Sequence, residues 1–562
     1  MFDAIVIGSG MSGGIAAKEL CELGLKTLVL ERGRKVEHGS DYNDWMQPWD
    51  LPNAGNIPEE ELARDYPIQR QCYAHYSATQ HLFVKDSEHP YQVPEQKPFS
   101  WIRGYHLGGR SIMWGRQTYR LSDMDMSANK RDGHGIDWPI RYADLAPWYD
   151  RIEEFIGVAG ANDGLAHLPD GKFLPAMPMT DGELMFKAAV EKAFPDRKVI
   201  QGRCAHLTEA KPHHEELGRA PCQYRSFCER GCGFGAYHSS LSSSLPAAER
   251  TGNLTIVTDA IVHSIITDPA TGRATGVRVI DQKSKKTTTY EAKVFFLCAS
   301  TIGSAQVLLN SRSDANPRGL ANSSDMVGRN LMDHVYGPGV LGIFEGGPQT
   351  YYRGRRPNGL YIPRYRNLER DDQDYVRGYG YQGAVMRLGW RGVESAGPGI
   401  GQQLKDRVRH PGPWAIRLGG FGEMLPNPDN RVTLHATKVD EWGIPQLMID
   451  CAHGENEKKL AKVMLEDAKA MVTASGASIA RVVETVHPPG LCIHEMGTAR
   501  MGHDPKNSVL NGRNQSHDVA NLFITDGSAM VSSGCQNPSL TYMAMSARAA
   551  HYASDLMKTG TI

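Results

Sequence analysis

A glycine-rich segment near the start of the chain has the residue types and spacing that bind the phosphates of a dinucleotide. Residues 2–7 are apolar and mostly β-branched, which predicts a buried parallel strand. The motif Gly-Ser-Gly-Met-Ser-Gly follows at residues 8–13, and a stretch of helical composition comes after it. The first glycine permits a tight turn, the second lets the backbone approach a pyrophosphate, and the third lets helix and strand pack closely. The helix N-terminus offers free N–H groups to the phosphates, so the segment predicts a Rossmann-type site.

A second predicted strand, residues 26–30, ends at Glu31, which lies 23 positions after the first glycine. A carboxylate at this place accepts hydrogen bonds from ribose hydroxyls and disfavours a 2′-phosphate. The pattern suits FAD and NAD equally. The predicted cofactor contacts in this unit are Gly8, Gly10, Met11, Ser12, Gly13, Glu31 and Arg32.

Three cysteines form the second candidate for chemistry. Cys222, Cys228 and Cys232 lie within eleven residues, whereas the other seven cysteines are scattered along the chain. Three thiolates at this spacing can hold an iron–sulfur cluster. A turn of buried free thiols and, in an exported protein, a disulfide are the alternatives. A zinc site would need a fourth ligand, for which His206, His213 and His214 are candidates.

Composition limits the remaining classes of function. The 62 Lys and Arg residues balance 63 Asp and Glu residues, so we expect no nucleic-acid partner and no attraction to an anionic membrane. A hydrophobic content of 40% excludes wholesale disorder, and the length of 562 residues predicts two domains. We find no apolar run long enough to span a bilayer and no signal peptide, so the chain by itself looks cytoplasmic.

Four further segments resemble the glucose-methanol-choline (GMC) oxidoreductases. Residues 103–115 resemble the flavin-contacting loop of that family, residues 253–262 the strand beside the adenine, and residues 294–304 the turn that closes over the dinucleotide. Residues 491–550 contain His-Glu-Met-Gly-Thr-Ala-Arg-Met-Gly, Thr-Asp-Gly-Ser and Asn-Pro-Ser-Leu-Thr, the clearest match. The resemblance implies FAD and adds as cofactor contacts Gly108, Gly109, Ser111, Met113, Trp114, Gly115, Val262, Ala299, Ser300, Asp526, Gly527, Asn537, Pro538 and Thr541.

Within the family, the form of this last motif and the later Gln-Ser-His-Asp at residues 515–518 resemble the bacterial sugar dehydrogenase branch. Glucoside 3-dehydrogenases, gluconate 2-dehydrogenase large subunits and relatives of pyranose oxidase belong to that branch. The branch implies oxidation of a ring hydroxyl of a sugar or glycoside to a ketone, with C3 of a glucoside favoured. In pyranose oxidases a histidine bonds covalently to the flavin, but the matching residue here is Met113, which implies noncovalent FAD.

The resemblance assigns His494 and Asn537 as the active-site pair. Oxidising an alcohol with a flavin needs a base for the hydroxyl proton and a C–H bond that faces the flavin N5. His494 would be that base, since a neutral imidazole titrates in the right range, and Asn537 would hydrogen-bond the same hydroxyl. Asn537 followed by Pro538 is also typical of the N-cap and first residue of a helix. The positive end of that helix would stabilise the anionic reduced flavin.

The electron acceptor has four alternatives, which are a cytochrome, a quinone, another soluble acceptor and oxygen. Some members of the branch carry a three-iron cluster near the position of Cys222 to Cys232 and pass electrons to a cytochrome c or a quinone through a partner subunit. A small subunit with an export signal would then carry the chain to the periplasm. A pyranose oxidase-like enzyme would instead reduce oxygen to hydrogen peroxide. An electron-relay subunit without its own substrate is disfavoured by the intact pair His494 and Asn537.

We predict an α/β protein in which a Rossmann-type FAD domain is interrupted by a substrate domain with a mostly antiparallel sheet. The FAD domain comprises residues 1–50, 100–125, 201–334 and 490–562, and the substrate domain residues 51–99, 126–200 and 335–489. Aromatic residues of the substrate half either stack on sugar faces or belong to the core: Tyr42, Trp45, Trp49, Tyr73, Tyr351, Tyr352, Tyr361, Tyr365, Tyr379, Tyr381, Trp390 and Trp414. Gln402, His410 and Arg417 are candidates for polar contacts to the sugar.

Overall fold

The computed structural model of the chain describes residues 1–350, 359–369, 373–388, 400–409 and 412–562. The strands are β1 Phe2–Ile7, β2 Thr27–Leu30, β3 Ala159–Gly160, β4 Leu174–Pro175, β5 Ile200–Gln201, β6 Leu254–Val257, β7 Ala260–Thr267, β8 Ala274–Asp281, β9 Thr287–Leu297, β10 Val335–Ile343, β11 Leu360–Ile362, β12 Tyr379–Arg387, β13 Trp414–Gly422, β14 Arg431–Val439, β15 Pro445–Asp450, β16 Ser478–Val483 and β17 Leu522–Ile524. The α-helices are α1 Met11–Glu22, α2 Glu59–Asp65, α3 Asp123–Met126, α4 Ala128–Asp132, α5 Tyr142–Ile156, α6 Asp181–Ala193, α7 Pro212–Glu215, α8 Leu245–Glu249, α9 Thr301–Asn310, α10 Gln402–Arg409, α11 Glu455–Ala474 and α12 Ser539–Lys558.

The first sheet is built around the N-terminal strand. Its order is β6-β2-β1-β9-β8-β7, with β17 also paired to β9. Strand β1 lies parallel to β2 and β9, and β6 and β17 continue this parallel part. Strands β7 and β8 join it by antiparallel pairing. Buried alanines of α1 and α12 pack these helices together beside the parallel strands, so the first β-α-β unit lies against the C-terminal helix.

The second sheet has the order β16-β10-β13-β12-β11-β5, and each of its pairs is antiparallel. Helices α6 and α11 cover one face and form an apolar core with it. The opposite face is less buried. On β12, Gln382 and Ala384 of that face are half-buried, whereas Tyr381 and Val385 of the covered face are buried. The prediction of an α/β fold with a Rossmann-type sheet and a mostly antiparallel second sheet is confirmed.

The two sheets come from different parts of the chain. Strands of the first sheet fall in the segments assigned to the FAD domain, and strands β10 to β13 and β16 fall in residues 335–489. Strand β5 lies at the predicted boundary near residue 200. The division into domains stays a prediction. No helix within the described ranges is long and apolar enough to cross a membrane.

Candidate active site

The glycine loop after β1 is shaped by close backbone contacts. Gly8 has a φ of +97°, and a Cβ there would lie 2.4 Å from the carbonyl oxygen of Cys298. A Cβ on Gly13 would lie 1.9 Å from the carbonyl oxygen of Gly8, so helix α1 packs against the loop only with glycine. A Cβ on Gly10 would meet no atom within 4 Å, which leaves the backbone open at the N-terminus of α1. Met11 and Ser12 form the first turn of this helix. This open helix N-terminus fits a dinucleotide phosphate.

The predicted flavin-contacting loop lies directly against the glycine loop. The backbone N–H of Gly108 donates to Ser9 Oγ at 2.9 Å, and a Cβ on Gly109 would lie 3.6 Å from the Cα of Gly10. Ser111 Oγ donates to the carbonyl of Gly108 and accepts from the N–H of Ser240. Segments that are about a hundred residues apart in sequence therefore form one continuous cradle.

Glu31 ends β2 as predicted, and its carboxylate is already hydrogen-bonded. Oε2 accepts from the hydroxyl of Ser9 at 2.5 Å, and Oε1 accepts from the N–H of Gly33 at 2.9 Å. Burial raises the pKa of Glu31. A carboxylate has about four acceptor sites, so capacity for a ribose hydroxyl remains. The guanidinium of Arg32 lies over the ring of Tyr105 at 4.1 Å.

The other predicted cofactor residues occupy several elements, and their contacts to FAD stay predictions. Ser300, with a φ of +70°, precedes α9, whose Ser304 donates to the Asp526 carboxylate at 2.5 Å. The Thr541 hydroxyl is bonded to Tyr149 at 2.8 Å. Trp114 Nε1 donates to the carbonyl of His238. The remaining predicted residues lie in or beside regular elements: Val262 in β7, Ala299 after β9, Gly527 after Asp526, Pro538 before α12, and Met113 to Gly115 after the glycine pair of the flavin-contacting loop.

The structure brings His494 and Asn537 together. Their side chains meet at 3.2 Å between His494 Nε2 and Asn537 Nδ2, and Asn537 Oδ1 accepts from Gln382 Nε2 at 2.6 Å. The prediction that Asn537 caps the helix is wrong, because α12 begins at Ser539 with Pro538 at the cap position and no side-chain cap. The Asn537 amide is instead held inside the site by two side chains. Gln382, from β12, was not foreseen from the sequence.

A strained loop presents His494. Ile493 has a φ of +66°, an unfavourable conformation for a β-branched residue that costs about 1–3 kcal/mol. The buried carboxylate of Asp333 accepts from the N–H groups of Gly490, Cys492 and His494 at 2.7–3.1 Å and holds the loop. Burial raises the pKa of Asp333 to about 7, although these bonds act in the opposite direction. Sequence reasoning missed Asp333, whose only signal is a polar pair with His334 among apolar neighbours.

The electrostatics around His494 favour a neutral imidazole. Burial lowers its pKa well below 6.5, and the neighbouring His334 and Arg110 add to this effect. Arg110, in the flavin-contacting loop, forms a two-pronged ion pair with the carboxylate of Glu495 at 2.9 and 3.2 Å. The base candidate therefore has a lone pair at neutral pH, and an ion pair ties its loop to the predicted cofactor loop.

The outward face of the second sheet lies over the pair. Phe421 of β13 has its ring centroid 6.4 Å from that of His494, and the ring of Tyr336 lies 5.3 Å from Phe421. Arg417 is exposed on the same strand, between the buried Ile416 and Leu418. This wall is aromatic and polar.

Most of the aromatic residues predicted for a sugar pocket do not form this wall. Tyr361, Tyr379, Tyr381 and Trp414 are at most 1% exposed and belong to cores, so that alternative is wrong for them. Tyr42 is buried as well, and Tyr365 bonds to Asp467. Trp45, Trp49 and Tyr73 are exposed, and Gln402 bonds to Asp406 on the exposed α10. Tyr351, Tyr352, Trp390 and His410 lie outside the described residues.

Comparison with known proteins identifies the family. The family model described as GMC oxidoreductase matches residues 2–336, and a second model with the same description matches residues 426–546. The chain belongs to the GMC oxidoreductase family. GMC oxidoreductases bind FAD and oxidise CH–OH groups, so this enzyme is an FAD-dependent oxidoreductase that acts on CH–OH donors.

Two curated proteins and one solved structure place this GMC oxidoreductase among its relatives. It is 28% identical to the fructose dehydrogenase large subunit of Gluconobacter japonicus, over 99% of this chain and 98% of that protein. It is 26% identical to paromamine 6′-oxidase of Streptomyces fradiae, over 100% and 93%. Pyridoxine 4-oxidase, described as from Mesorbium loti, has the same fold with a TM-score of 0.59 at 17% identity, covering 98% of both chains.

The three clustered cysteines of this GMC oxidoreductase line one cavity together with His206 and Tyr237. All ten cysteines are free thiols in this structure. His213 and His214 each direct a ring nitrogen to the carbonyl of Glu154, whereas His206 Nε2 lies 3.7 Å from Cys228 Sγ. Among the described residues, the one set of three or more donor side chains lying mutually within 4.8 Å is Asp333, His334, Cys492 and His494.

Two buried guanidiniums lie beside the cysteine cavity. Arg116, which follows the flavin-contacting loop, lies 3.7 Å from the carboxylate of Glu229, and Arg219 donates to the backbone carbonyls of Gly235 and Ile156. Burial lowers the pKa of Arg219 to about 9, with Cys232 as the opposing influence. Tyr237 donates its hydroxyl proton to the carbonyl of Ile112, which ties the cavity wall to the flavin-contacting loop. Burial raises the pKa of the Cys228 thiol to about 12, although the neighbouring Arg116 acts in the opposite direction.

Proposed function

We propose that this GMC oxidoreductase oxidises a ring hydroxyl of a sugar or glycoside to a ketone, with the C3 hydroxyl of a glucoside as the first candidate. The observation that carries the proposal is the pair His494 and Asn537, whose facing nitrogens lie 3.2 Å apart beneath an aromatic and polar sheet face. A hydroxyl oxygen that replaces their bond to each other can contact both nitrogens and give its proton to Nε2 of the neutral imidazole. Asn537 Nδ2 donates to the same oxygen and orients it.

Bound FAD supplies the acceptor for the hydrogen and electron pair of the carbinol C–H bond. The cradle that would hold it consists of the glycine loop, the flavin-contacting loop and the segment around Asp526. The protein's own contribution is to remove the hydroxyl proton and to fix the carbinol. The ion pair between Arg110 and Glu495 keeps the base loop at a constant distance from that cradle.

The choice of a sugar has two supports. Tyr336 and Phe421 offer apolar faces for a pyranose ring, while Gln382 and Arg417 offer hydrogen-bond donors to its remaining hydroxyls. The chain is also similar over nearly its full length to proteins named for fructose and for paromamine.

We further propose that Cys222, Cys228 and Cys232 hold an iron–sulfur cluster that removes electrons from the reduced flavin. A single zinc ion would bring its thiolates to about 3.8 Å of one another, which follows from a Zn–S distance near 2.3 Å. These three thiols do not belong to a set that close, and a cluster with several irons spaces its ligands more widely. The buried Arg116 and Arg219 would balance thiolate charge.

The acceptor would be a cytochrome c or quinone in a partner subunit, as the name "large subunit" of the similar fructose dehydrogenase suggests. A signal-bearing small subunit would then set a periplasmic location.

The first test is the anaerobic absorption spectrum before and after addition of methyl glucoside. Bleaching of the flavin band would support FAD and a productive sugar site together, and a broad residual shoulder would support the cluster. An unchanged oxidised spectrum would rule out the glucoside. The panel would then continue with gluconate, for a gluconate 2-dehydrogenase-like subunit, and with free sugars and simple alcohols.

Oxygen consumption separates the proposal from its alternative, a pyranose oxidase-like enzyme. The cysteine cavity beside the flavin-contacting loop favours a dedicated acceptor, so we expect slow reoxidation by air and fast reoxidation by a one-electron dye. Stoichiometric hydrogen peroxide from the sugar at full turnover rate would favour the oxidase.

A further inference from the structure

A second histidine stands behind His494. His334, buried and directly before β10, places its Nδ1 2.9 Å from the Nδ1 of His494, and the two rings meet edge to face at 82°. Two ring nitrogens at this distance form a hydrogen bond only if one carries a hydrogen and the other a lone pair. The direction of this bond decides which nitrogen of His494 can act as a base.

The other nitrogen of His334 determines that direction. Its Nε2 lies 2.8 Å from the carbonyl oxygen of Gly534. A carbonyl oxygen only accepts, so His334 Nε2 must carry the hydrogen. Burial lowers the pKa of His334 to about 4, so the ring is neutral at neutral pH and has a single N–H. Its Nδ1 is therefore an acceptor.

It follows that His494 donates through Nδ1. Cys492 Sγ lies 3.4 Å from the same nitrogen and is a weak additional acceptor. Since burial also keeps His494 neutral, its single hydrogen is used on this side. Nε2, which faces Asn537, has the lone pair.

The hydrogen-bond direction set at His494 also fixes the orientation of the Asn537 and Gln382 side-chain amides. Because His494 Nε2 accepts, Asn537 must present Nδ2 to it, at 3.2 Å, and must turn Oδ1 towards Gln382 Nε2, at 2.6 Å. An amide pair by itself could be reversed end for end at the same distances. The series of hydrogen bonds from Gln382 to Gly534 therefore has a single direction, because it ends on a backbone carbonyl that cannot donate.

We propose that His334 is a positioning residue that sets the tautomer of His494, and that the Gly534 carbonyl fixes the direction of this series of hydrogen bonds. The proposal rests on the proposed function, since it takes His494 as the base. When the substrate hydroxyl displaces the bond between His494 and Asn537, it meets a lone pair on His494 Nε2 and an N–H of Asn537. When the hydroxyl proton moves to Nε2, the negative oxygen left behind faces a donor. His334 touches no substrate.

Two substitutions of His334 distinguish a role in setting the tautomer of His494 from a purely structural role in holding the Gly534 segment. The Asn side chain places its carbonyl oxygen near the former Nδ1, so His334→Asn keeps an acceptor for His494 and loses the bond to Gly534. The Gln side chain places its amide nitrogen near the former Nε2, so His334→Gln keeps the bond to Gly534 and loses the acceptor. We expect the maximal rate of flavin reduction by substrate to fall about 10- to 100-fold in His334→Gln, with the substrate KM little changed. His334→Asn should retain most of the wild-type rate. The reverse order would show that His334 only braces the Gly534 segment and would overturn the proposal.

A second measurement needs no substrate. In holoenzyme labelled with ¹⁵N-histidine, the chemical shifts of the ring nitrogens report which one carries the hydrogen, and the signal of His494 is identified by its loss in His494→Asn. We expect a protonated Nδ1 in the wild type and in His334→Asn, and a mixture of tautomers in His334→Gln. A hydrogen on Nε2 of His494 in the wild type would refute the proposal whatever the substrate. If the expected tautomers appear but no sugar reduces the flavin, the proposed function fails and this inference stands.

Discussion

At the scale of single residues, the chemistry depends on a neutral imidazole beside an amide. The motif identified His494 and Asn537, and the structure places them in contact although they are 43 positions apart. It could not identify His334 or Gln382, which lie 160 positions from His494 and 155 positions from Asn537. No local periodicity connects residues at such separations.

Removal of the base should abolish chemistry without loss of cofactor. We expect His494→Ala to lower the rate of flavin reduction by substrate about 10²- to 10⁴-fold, the range that general-base catalysis contributes. FAD content, measured from the absorption spectrum, should be unchanged, because the predicted cradle lies on other segments. His134→Ala, an exposed histidine, is the control. Full turnover of His494→Ala would contradict the assignment.

The low pKa of His494 predicts an acid-shifted pH profile. Protonation of Nε2 removes the lone pair, so activity is lost as the pH falls through the pKa of the base. Because burial lowers that pKa well below 6.5, we expect kcat/KM for a neutral glycoside to stay constant from neutral pH down through pH 6.5 and to fall only in more acidic solution. A decline centred at or above pH 6.5 would mean that another group is titrating.

At the scale of elements, the glycine loop was predictable and the helix start was not. The β1-loop-α1 unit has a pattern of fixed spacing within about thirty positions, so the sequence predicts it, although Gly8 also packs against the distant Cys298. At the start of α12, Asn537 has two competing partners, the helix backbone and the site. The bonds with Gln382 and His494 outweigh the cap, and tertiary contacts decide this balance.

The cysteine loop, residues 222–232, is the element for which we predict an iron–sulfur cluster. We expect wild-type protein prepared without oxygen to contain iron and acid-labile sulfide, and Cys228→Ser to lose both. Flavin reduction by substrate should persist in Cys228→Ser, while reoxidation by a cytochrome c should slow sharply. Cys21→Ser, in α1 and outside the cavity, should behave as wild type. Wild-type protein free of iron and sulfide would leave the loop as a cluster of half-buried thiols.

At the scale of the whole molecule, the site forms where the two sheets meet. The first sheet and its loops supply the predicted cradle, the C-terminal segment supplies His494 and Asn537, and β12 of the second sheet supplies Gln382. The hydrogen bond between Gln382 and Asn537 is therefore a direct link between the second sheet and the chemistry.

Loss of this link should affect turnover more than stability. We expect Gln382→Ala to lower the rate of flavin reduction about 2- to 10-fold, since one hydrogen bond contributes about 0.5–1.5 kcal/mol, and to leave the melting temperature nearly unchanged. Met386→Ala, at a half-exposed position of the same strand, is the matched control. Equal losses of activity in both variants would indicate a general disturbance of β12.

The sequence alone determined the dinucleotide unit and the family and predicted the active-site pair, because each depends on short segments with fixed spacing. Only the tertiary structure decided what surrounds that pair. Tyr379 and Tyr381 alternate with Gln382 along β12, and this period of two predicts that they face opposite sides of the sheet. Which side becomes the core is set by helix α11, about 75 residues later, whose apolar surface covers the tyrosines and leaves Gln382 to the site. The partners of His494 follow from the same cause, since residues that are far apart in sequence become neighbours only when the sheets pack together.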